Sequence, residues 1–206
     1  MSTPNYFEVF SIPRKLNVDT AALETAFYAQ SRKLHPDRFA SKPPEEQEAA
    51  LAQASQLNDA YRTLKEPIAR TEYLLSLEGV QMEEQSRAAT DAARANNTAK
   101  KQVAPPELLE EAFELNMQLE EMRMNKKMGE DDPQLAKDLN AAKANFEGML
   151  AESQAELEGL WTAWDAALDV DDSAEKTAAK DKMVALLNRR SYIRNLVRDV
   201  NEALEA

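Results

Sequence analysis

Apolar residues along this chain recur at spacings of three and four, with polar residues between them. That period predicts helices. Near the start, NYFEVFSIP supplies a short apolar stretch that stops at Pro13. Asp19 can then cap a helix running to about Leu34, along which Leu23, Phe27 and Leu34 share one side. Pro43 and Pro44 open a second helix, with Leu51, Ala54, Leu57, Tyr61 and Leu64 expected on its buried face. Pro67 starts a third, PIARTEYLLSLEG, which Gly79 ends. Two long antiparallel helices with short flanking ones make a small bundle.

Residues 80–104 break the pattern. They are polar, contain Asn96–Asn97 and lack a sustained apolar stripe, which reads as a linker. Three longer helices are expected after it. The first starts at Pro105–Pro106 and stops before Gly129. The second begins at Asp132–Pro133 and runs towards Leu168, with Leu135, Leu139, Ala142, Phe146, Met149, Leu157, Leu160 and Trp164 as its apolar positions. The third runs from about Ser173 to Leu204, with Met183, Leu186, Ile193, Val197, Val200 and Leu204. Such spacings suit helices packed side by side, so a three-helix bundle or antiparallel coiled coil is predicted. The expectation is an all-α chain: a helical-hairpin domain at 1–79, a linker at 80–104 and a three-helix bundle at 105–206.

Composition narrows the function. Only four glycines among 206 residues agree with the helical reading. The formal net charge is -12; residues 1–80, with nine Lys/Arg against eleven Asp/Glu, carry -2 of it, so -10 falls on the remainder. A surface of that sign repels phosphate backbones and anionic lipid, so neither nucleic acid nor membrane is expected as a partner. There is no cysteine, which excludes thiolate chemistry and any Cys-ligated zinc or cluster site in this chain. It also fits a reducing compartment. No apolar run approaches the ~20 residues that span a bilayer, and MSTPNYFEVFSIP reads as neither a signal nor a transit peptide.

The single histidine lies in SRKLHPDRFAS, residues 31–41. A catalytic His35 would need a nucleophile or an orienting acid at a recognisable spacing, and none is present. A metal site with one His, no Cys and no ordered carboxylate loop is equally poorly supported. Pro36 biases His35 away from the α region and ends the helix before it. That leaves unexplained why His35 and Asp37 bracket the proline. On a helical wheel Arg32 lies nearly opposite Leu23, Phe27 and Leu34, flanked by Ala29 and Lys33. The helix therefore presents a basic outer face beside a polar loop with His35, Asp37 and Arg38. By charge alone, a merely solvated face accounts for this.

The tripeptide HPD between an amphipathic helix with basic outer residues and a second long helix resembles the J domain. J domains recruit DnaK-type chaperones and stimulate their ATPase. The resemblance implies that His35, Pro36 and Asp37 contact the chaperone, supported electrostatically by Arg32, Lys33 and Arg38, since charge steers encounter and orientation. YFEVFSIP, HPDRFAS, LNDAYRTLKEPIARTEYLLSLEG and the C-terminal bundle further resemble the HscB-type J-domain co-chaperones of iron–sulfur cluster assembly. Relative to compact members of that family, 91–104 looks like an insertion. Some eukaryotic members add an N-terminal cysteine region that binds zinc; its absence here implies a bacterial, cytoplasmic protein.

The helix PPELLEEAFELNMQLEEMRM can be read without the family. Leu108, Ala112, Leu115, Leu119 and Met122 fall within about 40° of a common direction at 100° per residue. They form a seam sufficient for a bundle core. Leu109, Phe113, Met117 and Met124 fall roughly 100–180° away, bordered by Glu110, Glu114 and Glu121. Such a helix is either buried on both sides or carries a binding face with apolar anchors and an acidic rim. In the HscB family the corresponding helix binds the scaffold protein on which clusters are built. The resemblance maps that site onto Leu109, Glu110, Phe113, Glu114, Met117 and Glu121, with Tyr192 of RRSYIRNL as an aromatic contact. Met117 departs from the acidic residue the family has there.

The expected function is therefore that of an adaptor, not an enzyme, with no cofactor or metal of its own. Its partners would be an iron–sulfur scaffold protein of the IscU type and a DnaK-type chaperone of the HscA type, bound by a monomer. A J-domain co-chaperone with another client, or a helical adaptor with a fortuitous HPD, are the alternatives.

Overall fold

The computed structural model describes residues 4–80 and 104–205. Within them the secondary structure is helical throughout: α1 (Tyr6–Val9), α2 (Thr20–Lys33), α3 (Pro44–Lys65), α4 (Pro67–Leu77), α5 (Leu109–Met128), α6 (Pro133–Asp169) and α7 (Ser173–Glu205). Short 3-10 turns occupy Pro36–Arg38 and Pro106–Leu108. Of the expected linker, 81–103 lie outside the described residues, as does nearly all of the 91–104 insertion. No described helix is long and apolar enough to cross a membrane.

Local chemistry sets the helix ends. Asn5 and Glu8 form a reciprocal capping box on α1. The Asp19 carboxylate accepts the Ala21 and Ala22 N–H groups at 3.0 Å and starts α2. Gly79, at φ +81°, ends α4 while Val80 N–H donates to the Leu75 carbonyl. Gly129, at φ +72°, ends α5 with the equivalent bond from Glu130 to Asn125. Both are left-handed caps that a side chain would strain.

Contacts divide the described residues into two units: 4–80 with 160–180, and 104–159 with 181–205. The first unit thus contains the tip of the long α6–α7 hairpin, which the sequence division assigns to the C-terminal bundle. Its core includes Phe7, Leu16, Leu23, Leu57, Leu64, Leu74 and Trp164. Phe27 stacks on Tyr61 at 4.2 Å and joins α2 to α3. Leu51 is not part of the buried face of α3; it is 69% exposed, whereas Ala50 is 6% exposed. Seven residues nearly complete two turns, so Ala50 falls under Leu57, and Leu51 is carried about 120° round.

Polar groups fasten the hairpin tip into this unit. The buried Asp165 carboxylate accepts the Leu16 and Asn17 backbone N–H groups at 2.8 and 2.9 Å, and the Asn17 amide at 2.9 Å. The Trp161 indole donates to the Thr71 hydroxyl at 2.9 Å. Arg70, buried, lies 4.8 Å over the Trp161 ring and donates to the Leu64 carbonyl at 2.7 Å. Burial lowers the pKa of its guanidinium, and the negative charges of Asp165 and Glu66 act in the opposite direction. Trp164 is also buried here, with Lys176 5.2 Å over its ring.

In the second unit three helices share one core. α5 contributes Ala112, Leu115, Leu119 and Met122; α6 contributes Leu135, Leu139 and Phe146; α7 contributes Ile193, Leu196, Val200 and Ala203. This is the expected three-helix bundle, built on the predicted α5 seam.

Asp165→Ala would leave the Leu16 and Asn17 N–H groups without their buried acceptor. The expected loss is about 2–4 kcal/mol, read as a lower urea midpoint for the full chain. Asp165→Asn retains an acceptor oxygen and is expected to lose less. An unchanged midpoint for the alanine variant would show that the loop amides find other acceptors.

Candidate partner-binding sites

The first candidate site is the corner between α2 and α3. Leu34 closes α2 and His35 turns extended at φ -60°, ψ 134°, as the following proline demands. Pro36 opens the 3-10 turn, held by Arg38 N–H to the His35 carbonyl at 3.0 Å and Phe39 N–H to the Pro36 carbonyl at 2.9 Å. His35 and Asp37 consequently face each other across the proline. The imidazole Nδ1 lies 3.4 Å from the Asp37 backbone nitrogen and 3.4 Å from a carboxylate oxygen. A neutral ring with its proton on Nε2 accepts the backbone N–H; a protonated ring pairs with the carboxylate. Both side chains are exposed, at 59% and 90%.

Those exposures bear on the chemistry. The histidine stands in water beside one carboxylate, open to a partner's groups. Among the described residues no cluster of three or more His, Asp or Glu side chains could hold a metal ion. What the corner offers is an exposed pair of donors and acceptors with basic neighbours. Arg32, Lys33 and Arg38 are all exposed. Arg32 and Lys33 occupy the last turn of α2, where the helix dipole favours positive charge.

Tyr28, 55% exposed, belongs to the same outer face of α2 and was not among the expected site residues. It stands four residues before Arg32, whose Nε donates to the Tyr28 carbonyl at 3.2 Å. The wheel that marked Arg32 could have marked it, since four residues advance only about 40°.

The second candidate site is the outward side of α5. With Ala112, Leu115, Leu119 and Met122 turned into the core, Leu109, Phe113, Met117 and Met124 are turned out. They are between 53% and 68% exposed, and Met128, at 60%, continues the line. From Leu109 to Met128 the ridge runs about 28 Å along the helix. Glu110, Glu114 and Glu121 are exposed beside it. Within its own unit α5 is buried on the seam side, and its outward side is exposed. Met128 lies beyond PPELLEEAFELNMQLEEMRM, the stretch of this helix whose two sides the sequence compares. Tyr192 stands apart from this group of exposed residues: it is half-buried on α7 and packs on the bundle core. Its hydroxyl pKa is raised, first by burial and then by Asp199.

The family model of the DnaJ domain matches residues 5–73, which hold α1 to α3, the histidine corner and most of α4. The first unit thus contains a J domain. A co-chaperone protein HscB homolog of Azoarcus sp. (strain BH72) is 30% identical over 202 residues, covering 98% of this chain and 94% of that protein. One from Vibrio cholerae serotype O1 is 38% identical over 116 residues, 56% of this chain and 60% of that relative's length. The solved structure of chaperone HscB from Vibrio cholerae superposes with a TM-score of 0.58 at 29% identity, covering 98% of this chain and 99% of the other. The chain belongs to the HscB family of co-chaperone proteins.

The two sides of α5 should respond differently to truncation. Leu115→Ala opens a cavity in the core and is expected to cost about 2–5 kcal/mol. Leu109→Ala and Phe113→Ala remove only exposed surface, so each should stay within about 0.5 kcal/mol of the wild type. Urea denaturation of the three variants compares them directly. A large loss in the Phe113 variant would place that ring in a packed interior.

Proposed function

We propose that this protein is an adaptor co-chaperone of iron–sulfur cluster assembly that carries a cluster scaffold protein to a DnaK-type chaperone and stimulates the chaperone's ATPase. The observation that carries this reading is the outward apolar ridge of α5, with its acidic border, on a chain that also presents an exposed HPD corner.

The scaffold protein, of the IscU type, docks on Leu109, Glu110, Phe113, Glu114, Met117 and Glu121, with Tyr192 as a further contact. Large apolar side chains anchor such an interface, and the glutamates suit a partner with a basic patch. The chaperone, of the HscA type, meets His35, Pro36 and Asp37. Arg32, Lys33 and Arg38 attract its acidic surface, and Tyr28 adds a ring to the same face. Holding both partners raises the effective concentration of client at the chaperone. Contact at the HPD corner favours the hydrolysing state of the chaperone, which closes on the delivered client. This coupling is linkage between binding equilibria. ATP hydrolysis takes place on the chaperone and cluster chemistry on the scaffold, in the cytoplasm.

His35→Gln and Asp37→Asn should each abolish stimulation of the chaperone's single-turnover ATPase while circular dichroism and scaffold binding stay as in the wild type. Normal stimulation by either folded variant overturns the chaperone assignment. The double variant Leu109→Ala, Phe113→Ala should bind the scaffold more weakly by about 2–4 kcal/mol in calorimetry. Unchanged affinity would mean that the scaffold docks elsewhere.

A further inference from the structure

The α5 ridge has a chemical property that its shape does not require. Three of its five apolar members, Met117, Met124 and Met128, are exposed thioethers. Helical spacing keeps them within about 40° of one another. Met122, on the same helix, and Met183 are buried. Met149 is half-buried against the core. The protein has no cysteine, so methionine is its only sulfur residue. The most accessible sulfur among the described residues is therefore concentrated on one face of one helix.

We propose that Met117, Met124 and Met128 form an oxidation-sensitive site, at which conversion to sulfoxides by hydrogen peroxide or a hypohalous acid switches the ridge from partner-binding to non-binding; this rests on the ridge being the scaffold-docking face. With peroxide, the sulfur lone pair forms an S–O bond to one oxygen as the O–O bond breaks. The departing hydroxide takes the proton from the oxygen now on sulfur and leaves as water. With a hypohalous acid, sulfur takes the halogen from oxygen, releasing hydroxide; water then forms the S–O bond, halide leaves, and the two protons pass to hydroxide and solvent. In either case sulfur is oxidised by two electrons and the oxidant is reduced by the same two. Both oxidants are uncharged as they react, so the acidic border of the ridge does not repel them.

The product changes the physics of the face. A thioether is soft, apolar and adaptable, which suits an anchor in a docked interface. A sulfoxide is a strong, chiral hydrogen-bond acceptor, and docking would bury it opposite an apolar surface with no donor. The core seam of α5 keeps Met122 out of reach, so the face can be altered while the bundle stays folded. Methionine sulfoxide reductases, drawing two electrons and two protons from a dithiol, remove the oxygen as water and restore the thioether.

The test treats the full-length protein with graded hydrogen peroxide or hypochlorous acid. Sulfoxides are mapped by peptide mass spectrometry, and scaffold binding is measured by calorimetry before oxidation, after it, and after reductase treatment. Sulfoxides should appear at Met117, Met124 and Met128 ahead of Met122 and Met183. Affinity should fall at least about tenfold, as expected for impaired interface anchors, and return on reduction. The variant Met117→Leu, Met124→Leu, Met128→Leu is compared with its own untreated affinity, which oxidation should change by less than about twofold. Undiminished affinity with all three sulfoxides in place overturns the proposal. So does equal oxidation of the buried methionines, failure of reduction to restore binding, or a tenfold fall in the leucine variant. Untreated protein that fails to bind the scaffold overturns instead the docking assignment on which the proposal depends.

Discussion

The seam of Leu108, Ala112, Leu115, Leu119 and Met122 fixes the direction in which α5 faces. A helix packed against two neighbours has room to bury one side, and these residues, each worth up to a few kcal/mol when removed from water, occupy it. Rotating α5 to cover Phe113 would bring the seam out and carry Glu110 and Glu114 towards the core. The exposed ridge is a consequence of that constraint. Its outward direction is held by the buried seam and not by the ridge residues themselves.

The histidine corner is organised by a different constraint. Pro36 cannot continue α2, so the chain must turn, and the 3-10 turn that follows sets His35 and Asp37 on either side of the proline. Neither side chain is held by burial. The corner is positioned instead by the hairpin beneath it, with Phe27 stacked on Tyr61 and Leu23, Leu57 and Leu64 in the core. A site of exposed polar groups on a packed hairpin is suited to recognition, because its solvating water can be exchanged for a partner's groups.

The first unit also depends on residues far away in sequence. Asp165 satisfies two amides of the loop before α2, while Trp161 joins Thr71 and Arg70. These polar groups are buried together, and removing one leaves others without partners at a cost larger than the bond itself. The first unit therefore has part of α6 in its interior beside the J domain, although the two are far apart in sequence.

Much of this was legible in the sequence. The caps at Asp19, Gly79 and Gly129, the stop at Pro36, the seam of α5 and its second ridge all follow from local spacing and local conformational rules. The corner and the ridge were legible for the same reason, since each lies on a single continuous stretch. Leu51 was misplaced because a spacing of six residues falls about a third of a turn short of two full turns. Asp165 and Trp161 carried no local signal: a carboxylate and an indole on a long helix fit a solvated face or a bundle core equally well. Periodicity determined which residues share a side of a helix. Only the tertiary structure decided what covers that side, because the covering groups arrive from up to 154 residues away, as Asp169 does at Lys15, and no local rule fixes where a distant segment will pack.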